Sequence, residues 1–305
     1  MGGNAFDQRH LIELYKRGLI NELPLELGPM PIFDLGPSIG ADLQRWNVID
    51  AKTGQLSEPA SELLGGVTNY EWAVWGIVLL YNERTPIDVD LPEEFLQYGV
   101  QYALRDIPRV TFLIGYRQGT FTTATMAGGH LSIASDRARG TDPDYLNTTA
   151  GSIISAIVDP KQGWEPYPLE EFSIPAATAD ALKRDRSANP DDVAEETQEG
   201  LCDAGMARTT VRALSELLKE DNVALAQITL TQRTPQGKKT ASNNAAGLMF
   251  FTGKHTGVVV SYPTRGLDGR QWITYESATP TALGRAIGKL HRGLASAPPA
   301  SVTVK

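Results

Sequence analysis

The residues that could carry chemistry are scattered along this chain of 305 residues. Its four histidines, His10, His130, His255 and His291, show neither the HExxH spacing nor an accompanying pair of cysteines. A zinc site needs several nitrogen or sulfur ligands that converge on one point, and such spacings are its usual signature. The sequence therefore predicts no metal site, and we interpret His130 and His255 as solvated residues beside glycine turns.

Other candidate catalytic residues are equally isolated. The single cysteine, Cys202, cannot form an internal disulfide, and no basic neighbour in GLCDAG activates it, so we interpret it as a small apolar filler. Acidic neighbours such as Glu170-Glu171 lie in polar stretches, which disfavours the carboxylate pair of a glycosidase. No phosphate-binding GxxxxGK[ST] loop occurs. The sequence predicts a protein that is not an enzyme and uses no cofactor.

Composition and charge narrow the class of protein. A hydrophobic content of 41% is enough for a substantial core, and 28 basic against 36 acidic residues give a net charge of -8. That balance disfavours nucleic acid and anionic lipid as partners. The first 20 residues carry charges where a signal peptide needs an apolar core, and the apolar run 72–81 is shorter than the roughly 20 residues of a membrane span. We expect a cytoplasmic globular protein.

The same order of elements occurs twice. In the first half, a helical stretch from Glu58 precedes the strand YEWAVWGIVLLYNE, whose apolar residues on both parities predict a strand covered on both faces. Three turn-linked strands follow in RVTFLIGYRQGTFTTATMAGGHLSIAS, and then a helix that begins at Pro143. The second half has the helix TTVRALSELLKED, the strand NVALAQITLTQ, three strands between residues 248 and 277, and a helix from Pro280.

Two copies of this unit predict an α+β body with pseudo-twofold symmetry, in which helices surround a central antiparallel sheet of about eight strands. We divide the chain into an N-terminal half, 1–160, and a C-terminal half, 161–295, with a disordered tail at 296–305. Residues 83–109 form a long excursion with a helix at Pro92–Leu104. Residues 159–205 are a polar connector with two or three short helices.

Several stretches carry a family resemblance. They are FDQRHLIELYKRGLINELPLELGPMPI, LQRWNVIDAKTGQLSEPASELL and, as the most specific one, DGRQWITYESATPTALGRAIGKL. In order and spacing over residues 6–293, the chain resembles the EspG family, the cytosolic chaperones of type VII (ESX) secretion that bind PE/PPE protein pairs. The resemblance implies a central antiparallel sheet with N- and C-terminal helical bundles. It also implies a chaperone that binds the hydrophobic tip of the PPE partner and targets the PE/PPE heterodimer to the secretion system.

The family's contact surface comprises the sheet, the C-terminal helical bundle and a long loop. The resemblance places that surface on the second-half strands, on Ala282–His291 and on Glu83–Arg109. The strand residues Gln227, Thr229 and Thr231 share one uncharged parity, which suits a patch that another protein covers and equally an ordinary wetted sheet face. The candidate partner-binding residues are Gln227, Thr229, Thr231, Met249, Phe251, Trp272, Arg285 and Lys289. We expect charge at Thr229 or Phe251 to weaken the complex without unfolding the protein.

Two alternative functions remain from the sequence. The first is a small-molecule sensor or enzyme with a pocket under the excursion at residues 83–109. The second is a homodimer that uses the sheet for self-assembly. Under the chaperone hypothesis, the free protein is a monomer or a weak homodimer that awaits its PE/PPE client.

Overall fold

The computed structural model of the chain describes residues 6–28, 38–80, 109–182, 198, 201–202, 206–234, 236–266 and 269–295. Three expectations therefore lie outside the described residues. They are the helix at 92–104 with most of its excursion, all but residues 198 and 201–202 of the connector's second part at 183–205, and the tail at 296–305.

The described residues form seven α-helices, one 3-10 helix and ten strands. The helices are α1 (Gln8–Lys16), the 3-10 helix (Leu25–Leu27), α2 (Ile39–Arg45), α3 (Glu58–Thr68), α4 (Pro143–Val158), α5 (Ala176–Leu182), α6 (Arg208–Leu218) and α7 (Pro280–Ala295). The strands are β1 (Trp72–Leu80), β2 (Arg109–Arg117), β3 (Thr120–Ala127), β4 (His130–Arg137), β5 (Phe172–Pro175), β6 (Asp221–Arg233), β7 (Lys239–Ala241), β8 (Ala246–Thr252), β9 (Gly257–Arg265) and β10 (Gln271–Ser277).

All ten strands belong to one antiparallel sheet. Its order is β4-β3-β2-β1-β6-β8-β9-β10-β5, with β7 paired to β6 outside this path. The β1–β6 pair, in which Trp75 lies opposite Thr229, joins the two halves. Each half contributes four main strands followed by a helix of 16 residues that begins with proline, α4 or α7. The predicted α+β fold with a central antiparallel sheet is confirmed, and β5 and β7 are the strands that the sequence did not predict.

The predicted hairpin turns have the expected backbone. Gln118 and Gly119 have φ values of 49° and 77°, and Gly128 and Gly129 have 56° and 83°. Two consecutive residues with positive φ form the turns that match the twist of antiparallel strands, and glycine adopts such angles without a steric penalty. These turns fix the register of β2, β3 and β4.

The sheet has two covered faces. On the back face, alternate strand residues such as Val74, Phe112 and Leu248 pack with Ile154 of α4 and Ile287 of α7 in the largest core cluster. On the front face, residues of the other parity meet two separate groups of helices. The N-terminal bundle, α1 to α3 with the 3-10 helix, covers β2 to β4, whereas α5 and α6 cover β5 and the outer parts of β8 to β10.

The back-face helices α4 and α7 approach each other through glycines. A Cβ atom on Gly284 would lie 2.8 Å from the Cα of Thr148, and one on Gly151 would lie 2.7 Å from the carbonyl oxygen of Pro280. These separations are shorter than van der Waals contact, so only glycine permits this spacing of the two backbones. The pseudo-twofold partners α4 and α7 thus form a tight pair at the centre of the back face.

His291, near the end of α7, packs edge-on against Trp72 with ring centroids 5.0 Å apart. Trp72 in turn stacks on Tyr116 and meets Phe121, so the imidazole joins a cluster of aromatic rings. Burial in these apolar surroundings lowers the pKa of His291 to about 4. The imidazole is therefore neutral at physiological pH and acts as a packing residue.

The depressed pKa of His291 predicts a loss of stability in acid. The folded protein resists protonating this ring, whereas the unfolded chain takes up the proton near the usual value of 6.5, so stability falls as pH drops from 6.5 towards 4 and is unaffected above 7. Between pH 7 and pH 5 we expect a loss of about 1–2 kcal/mol from this residue. Urea unfolding at both pH values should show that loss in the wild type and not in His291→Gln. An equal loss in both proteins would contradict the assignment.

Candidate partner-binding site

In the part of the chain that the structure describes, an uncharged strip lies between the two groups of helices on the front face. It consists of Ile77 and Leu79 of β1, Leu225 and Gln227 of β6, and Met249 of β8, and we call it the central strip. Leu79, Leu225 and Met249 are direct cross-strand neighbours, as are Ile77 and Gln227. Gln227 is exposed, and the four apolar side chains are only partly buried.

Backbone pairing makes this strip a rigid surface. The β1–β6 and β6–β8 ladders hold its side chains at fixed spacing on the same side of the sheet. A row of half-exposed aliphatic side chains beside an amide can cover an apolar segment of another protein without burying an unpaired charge. None of the five side chains of the strip is an acid, a base or a nucleophile.

The N-terminal wall of the strip is the segment that contains the 3-10 helix. This helix lies over β1, β2 and β3, and the carbonyl of Leu27 accepts a hydrogen bond of 2.7 Å from Thr111, the cross-strand neighbour of Ile77. Leu27 is fully buried beneath the bundle. Leu25, two residues earlier, is instead 66% exposed.

A cluster of charges anchors this segment to the second half of the chain. Lys239 places its Nζ 2.8 Å from Oε1 of both Glu22 and Glu26, and Arg233 lies 2.5 Å from Glu22. The hydroxyl of Tyr70 donates to Glu26 at 2.5 Å, and both cations lie over the Tyr70 ring at 5.2–5.5 Å. We call these five residues the anchor cluster. Two carboxylates offset two cations, so the cluster carries no net charge.

Protonation states in the anchor cluster follow from burial and hydrogen bonding. Burial would raise the pKa of the Glu26 carboxyl, but hydrogen bonds from Lys239 and Tyr70 outweigh it and hold that pKa below its usual range. Burial, together with the Glu26 carboxylate, raises the pKa of Tyr70. Glu26 is thus an anion and Tyr70 a neutral donor at physiological pH, which keeps the cluster intact.

The opposite wall is built by α6. Its residues Val211 and Leu214 pack with Phe172 and Ile174 of the edge strand β5, and Leu217 packs with Phe251 and Val259. Tyr167 completes this wall, since its hydroxyl donates to Glu220 at 3.1 Å and its ring lies 6.1 Å from that of Phe251. Among the described residues, the central strip lies on the sheet between these two walls.

The eight residues predicted for partner binding do not lie on one surface. Gln227 and Met249 belong to the central strip. Thr229, Thr231 and Phe251 have the same front-face parity but are only 9%, 3% and 6% exposed. Trp272, Arg285 and Lys289 lie on the back-face side of the sheet, because Trp272 has the parity of Thr274 and Glu276, and α7 carries the two cations.

Because Thr229, Thr231 and Phe251 are buried, substitutions at these positions affect folding as well as binding. Thr231 accepts a hydrogen bond of 2.9 Å from the indole nitrogen of Trp75, and Phe251 packs beneath α6. A charge at Phe251 would enter a core cluster, so its first effect would be on folding rather than on binding. The same reasoning applies to Thr229. The burial of Thr229 and Phe251 therefore does not support the expectation that a charge at either residue leaves the fold intact.

Arg285 has a structural partner that the sequence did not reveal. It forms an ion pair with Glu276, which is 5% exposed and also accepts a hydrogen bond of 2.6 Å from Tyr262. The hydrogen bond to Glu276 raises the pKa of Arg285. Since a buried carboxylate needs a compensating cation, Arg285 neutralises Glu276 in the free protein.

The apolar stripe of α7 also has a role in the core. Ala282, Leu283, Ala286, Ile287 and Leu290 are all nearly inaccessible and pack against α4 and the sheet. The segment 282–291, which the resemblance placed in the contact surface, therefore offers its polar side alone. The remaining part of that expected surface, residues 83–108, lies outside the described residues.

Sequence reasoning missed the apolar residues of the central strip. Ile77 and Leu79 lie in a strand that is apolar on both parities, so no periodicity marks which of its side chains remain partly exposed. A usable signal lies in β6, where the parity of Gln227 and Thr229 is polar and that of Ala226 and Ile228 is apolar. Since β1 pairs with β6 so that Ile77 lies opposite Gln227, Ile77 is on the same face of the sheet as this polar parity.

Residues with catalytic potential are dispersed in the structure as well. Within the described ranges, no group of three or more His, Cys, Asp or Glu side chains could hold a metal ion. Cys202 is exposed, so it does not fill the core as expected. The segment GPSIG at residues 36–40 has the spacing of a nucleophile elbow, which requires a turn from a strand into a helix. Ser38 directly precedes α2, and residues 29–37 lie outside the described ranges.

Among the described helices, none combines the length and the apolar character that a membrane crossing needs.

Comparison with known proteins gives consistent results. The model of the EspG family matches residues 99–289. The chain is also similar in structure to the Mycobacterium tuberculosis type VII secretion system chaperone EspG5, solved in complex with the PE25–PPE41 dimer. That match has a TM-score of 0.66 at 14% sequence identity and covers 97% of this chain and 98% of the other. No curated protein matches the chain.

Proposed function

Because the chain belongs to the EspG family, we propose that it is a secretion chaperone that binds the apolar tip of the PPE-type protein in a PE/PPE heterodimer. It keeps this tip soluble in the cytoplasm and directs the heterodimer to a type VII secretion system. The work is done by binding alone, without a catalytic step or a cofactor. The two halves, 1–160 and 161–295, act together because one sheet supplies the binding surface.

The observation that carries this proposal is the central strip. An apolar tip in water associates with other tips, and a partner that covers it removes that hazard. The strip supplies half-exposed aliphatic side chains with no charged group among them, between walls formed by the 3-10 helix and α6. A specific interface of standard size covers about 800 Å² per partner. The strip supplies the centre of such an interface, and α6 supplies part of its periphery.

Co-expression tests the proposal directly. When the chain is produced with a PE/PPE pair encoded in the same genome, size-exclusion chromatography with light scattering should show, for its client pair, one complex of 1:1:1 composition. The free chain should elute as a monomer or as a weak homodimer whose apparent mass rises with concentration. Separate elution of the chain and a folded PE/PPE dimer would count against the proposal, because a standard interface survives this separation.

A further inference from the structure

The anchor cluster and Leu25 point to a part of the partner site that neither the strip nor the opposite wall includes. Of the described residues, Leu25 has the highest exposure among the large hydrophobic side chains, at 66%, followed by Tyr15 at 47%. A single exposed leucine is ordinary on a protein surface. This one, however, lies on the element that borders the strip, two residues from the Leu27 carbonyl that binds Thr111.

Tertiary contacts hold the 3-10 helix in place. A 3-10 helix of three residues has little stability of its own, so its position depends on tertiary contacts. Glu26, next to Leu25, is held at once by Tyr70 at 2.5 Å and by Lys239 at 2.8 Å. These anchors come from the segment before β1 and from β7, the short strand on β6. The segment before β1 and the strand β7, which pairs with β6, thereby determine where Leu25 is held.

The absence of net charge around Leu25 indicates which kind of partner segment it would contact. The four ionic groups of the anchor cluster neutralise one another, and the strip beside them is uncharged. A charged partner segment would gain nothing from this surface and would lose its hydration. An apolar segment would lose no hydrogen bonds and would bury Leu25 together with the strip.

We infer that Leu25 forms the N-terminal side of the partner site and contacts the same apolar tip as the central strip, with Glu26, Tyr70 and Lys239 as the residues that position it. This inference rests on the proposed function. It adds an element from the first 30 residues of the chain to a site otherwise built from strands and α6.

Substitution of Leu25 gives the primary test. Leu25→Asp should weaken binding of the PE/PPE dimer at least tenfold by calorimetry, with an unchanged melting temperature because the side chain is exposed. Tyr15→Asp is the matched control, since Tyr15 is also exposed but lies on α1, which packs on α2. It should change the affinity less than twofold. Equal affinities of the wild type and Leu25→Asp would overturn the inference and leave the proposed function standing. Failure of the wild type to bind would overturn both.

A double-mutant cycle tests the positioning residues. Tyr70→Phe removes the hydroxyl that donates to Glu26 and should weaken binding about threefold to tenfold in the wild-type background. In a Leu25→Ala background the same change should have almost no effect on affinity, although it still lowers the melting temperature. A purely structural role would lower stability in both backgrounds without this coupling. Equal losses of affinity in both backgrounds would show that Tyr70 does not act through Leu25.

Discussion

Replacement of Gln227 by glutamate is expected to weaken the complex with the PE/PPE dimer at least tenfold and to leave the free energy of unfolding unchanged. Glutamate matches glutamine in size and replaces its amide with a carboxylate. In the free protein, Gln227 is exposed, so the new charge stays hydrated. In the complex, the apolar partner would cover it, and the desolvation of an unpaired carboxylate opposes binding by several kcal/mol.

The matched control lies on the same strand. Gln232 is also exposed, but it has the opposite parity and lies across from Trp72 at the end of β6. Gln232→Glu adds the same charge to the same element outside the central strip, so its effect on affinity should stay within twofold. Calorimetric titration of both variants and urea unfolding of the free proteins separate binding from stability. Equal losses for both would assign the effect to net charge and remove the strip from the interface.

Gly284→Ala is expected to lower the free energy of unfolding by about 2–3 kcal/mol, the usual cost of overpacking a tight contact. The added Cβ would lie 2.8 Å from Cα and 2.9 Å from the backbone nitrogen of Thr148, so the backbones of α4 and α7 must move apart. Alanine otherwise favours a helix by about 1 kcal/mol over glycine, and the clash must exceed that gain.

Gly293 in the same helix supplies the control. A Cβ at Gly293 meets no atom within 4 Å, so Gly293→Ala should raise the free energy of unfolding by up to about 1 kcal/mol through helix propensity alone. Opposite signs for two identical substitutions in α7 are the expected result of denaturant unfolding. A stabilising effect of Gly284→Ala would show that α4 and α7 are not in tight contact.

The elements with local signals were predictable from the sequence. Proline at the first helical position identified α4 and α7, and paired residues such as Gln118-Gly119 and Gly128-Gly129 identified the hairpins. The order of helix and strands, which occurs twice, then predicted the central antiparallel sheet. The strands β5 and β7, with four and three residues, are too short to show a periodicity, and β5 lies among prolines where a connector was expected.

The candidate site was less predictable because it depends on which faces remain uncovered. Gln227 was identified from its polar parity, but Phe251 has the same parity and is buried by Leu217 of α6. Arg285 on a helix surface is indistinguishable from a partner-binding cation until its strand neighbour Glu276 is known to be buried. Leu25 gave no signal, since its exposure follows from the anchor cluster, whose members Glu22 and Arg233 are 211 residues apart in sequence.

The seam between β1 and β6 has a consequence for synthesis of the chain on the ribosome. Trp75 and Thr231 are 156 residues apart, and β1 obtains its second neighbour only when β6 emerges. Until then, β1 has one free edge in an otherwise completed four-stranded half. Contacts at such separation slow folding, and an unpaired strand edge promotes aggregation. The nascent first half is therefore itself an aggregation hazard until β6 pairs with β1.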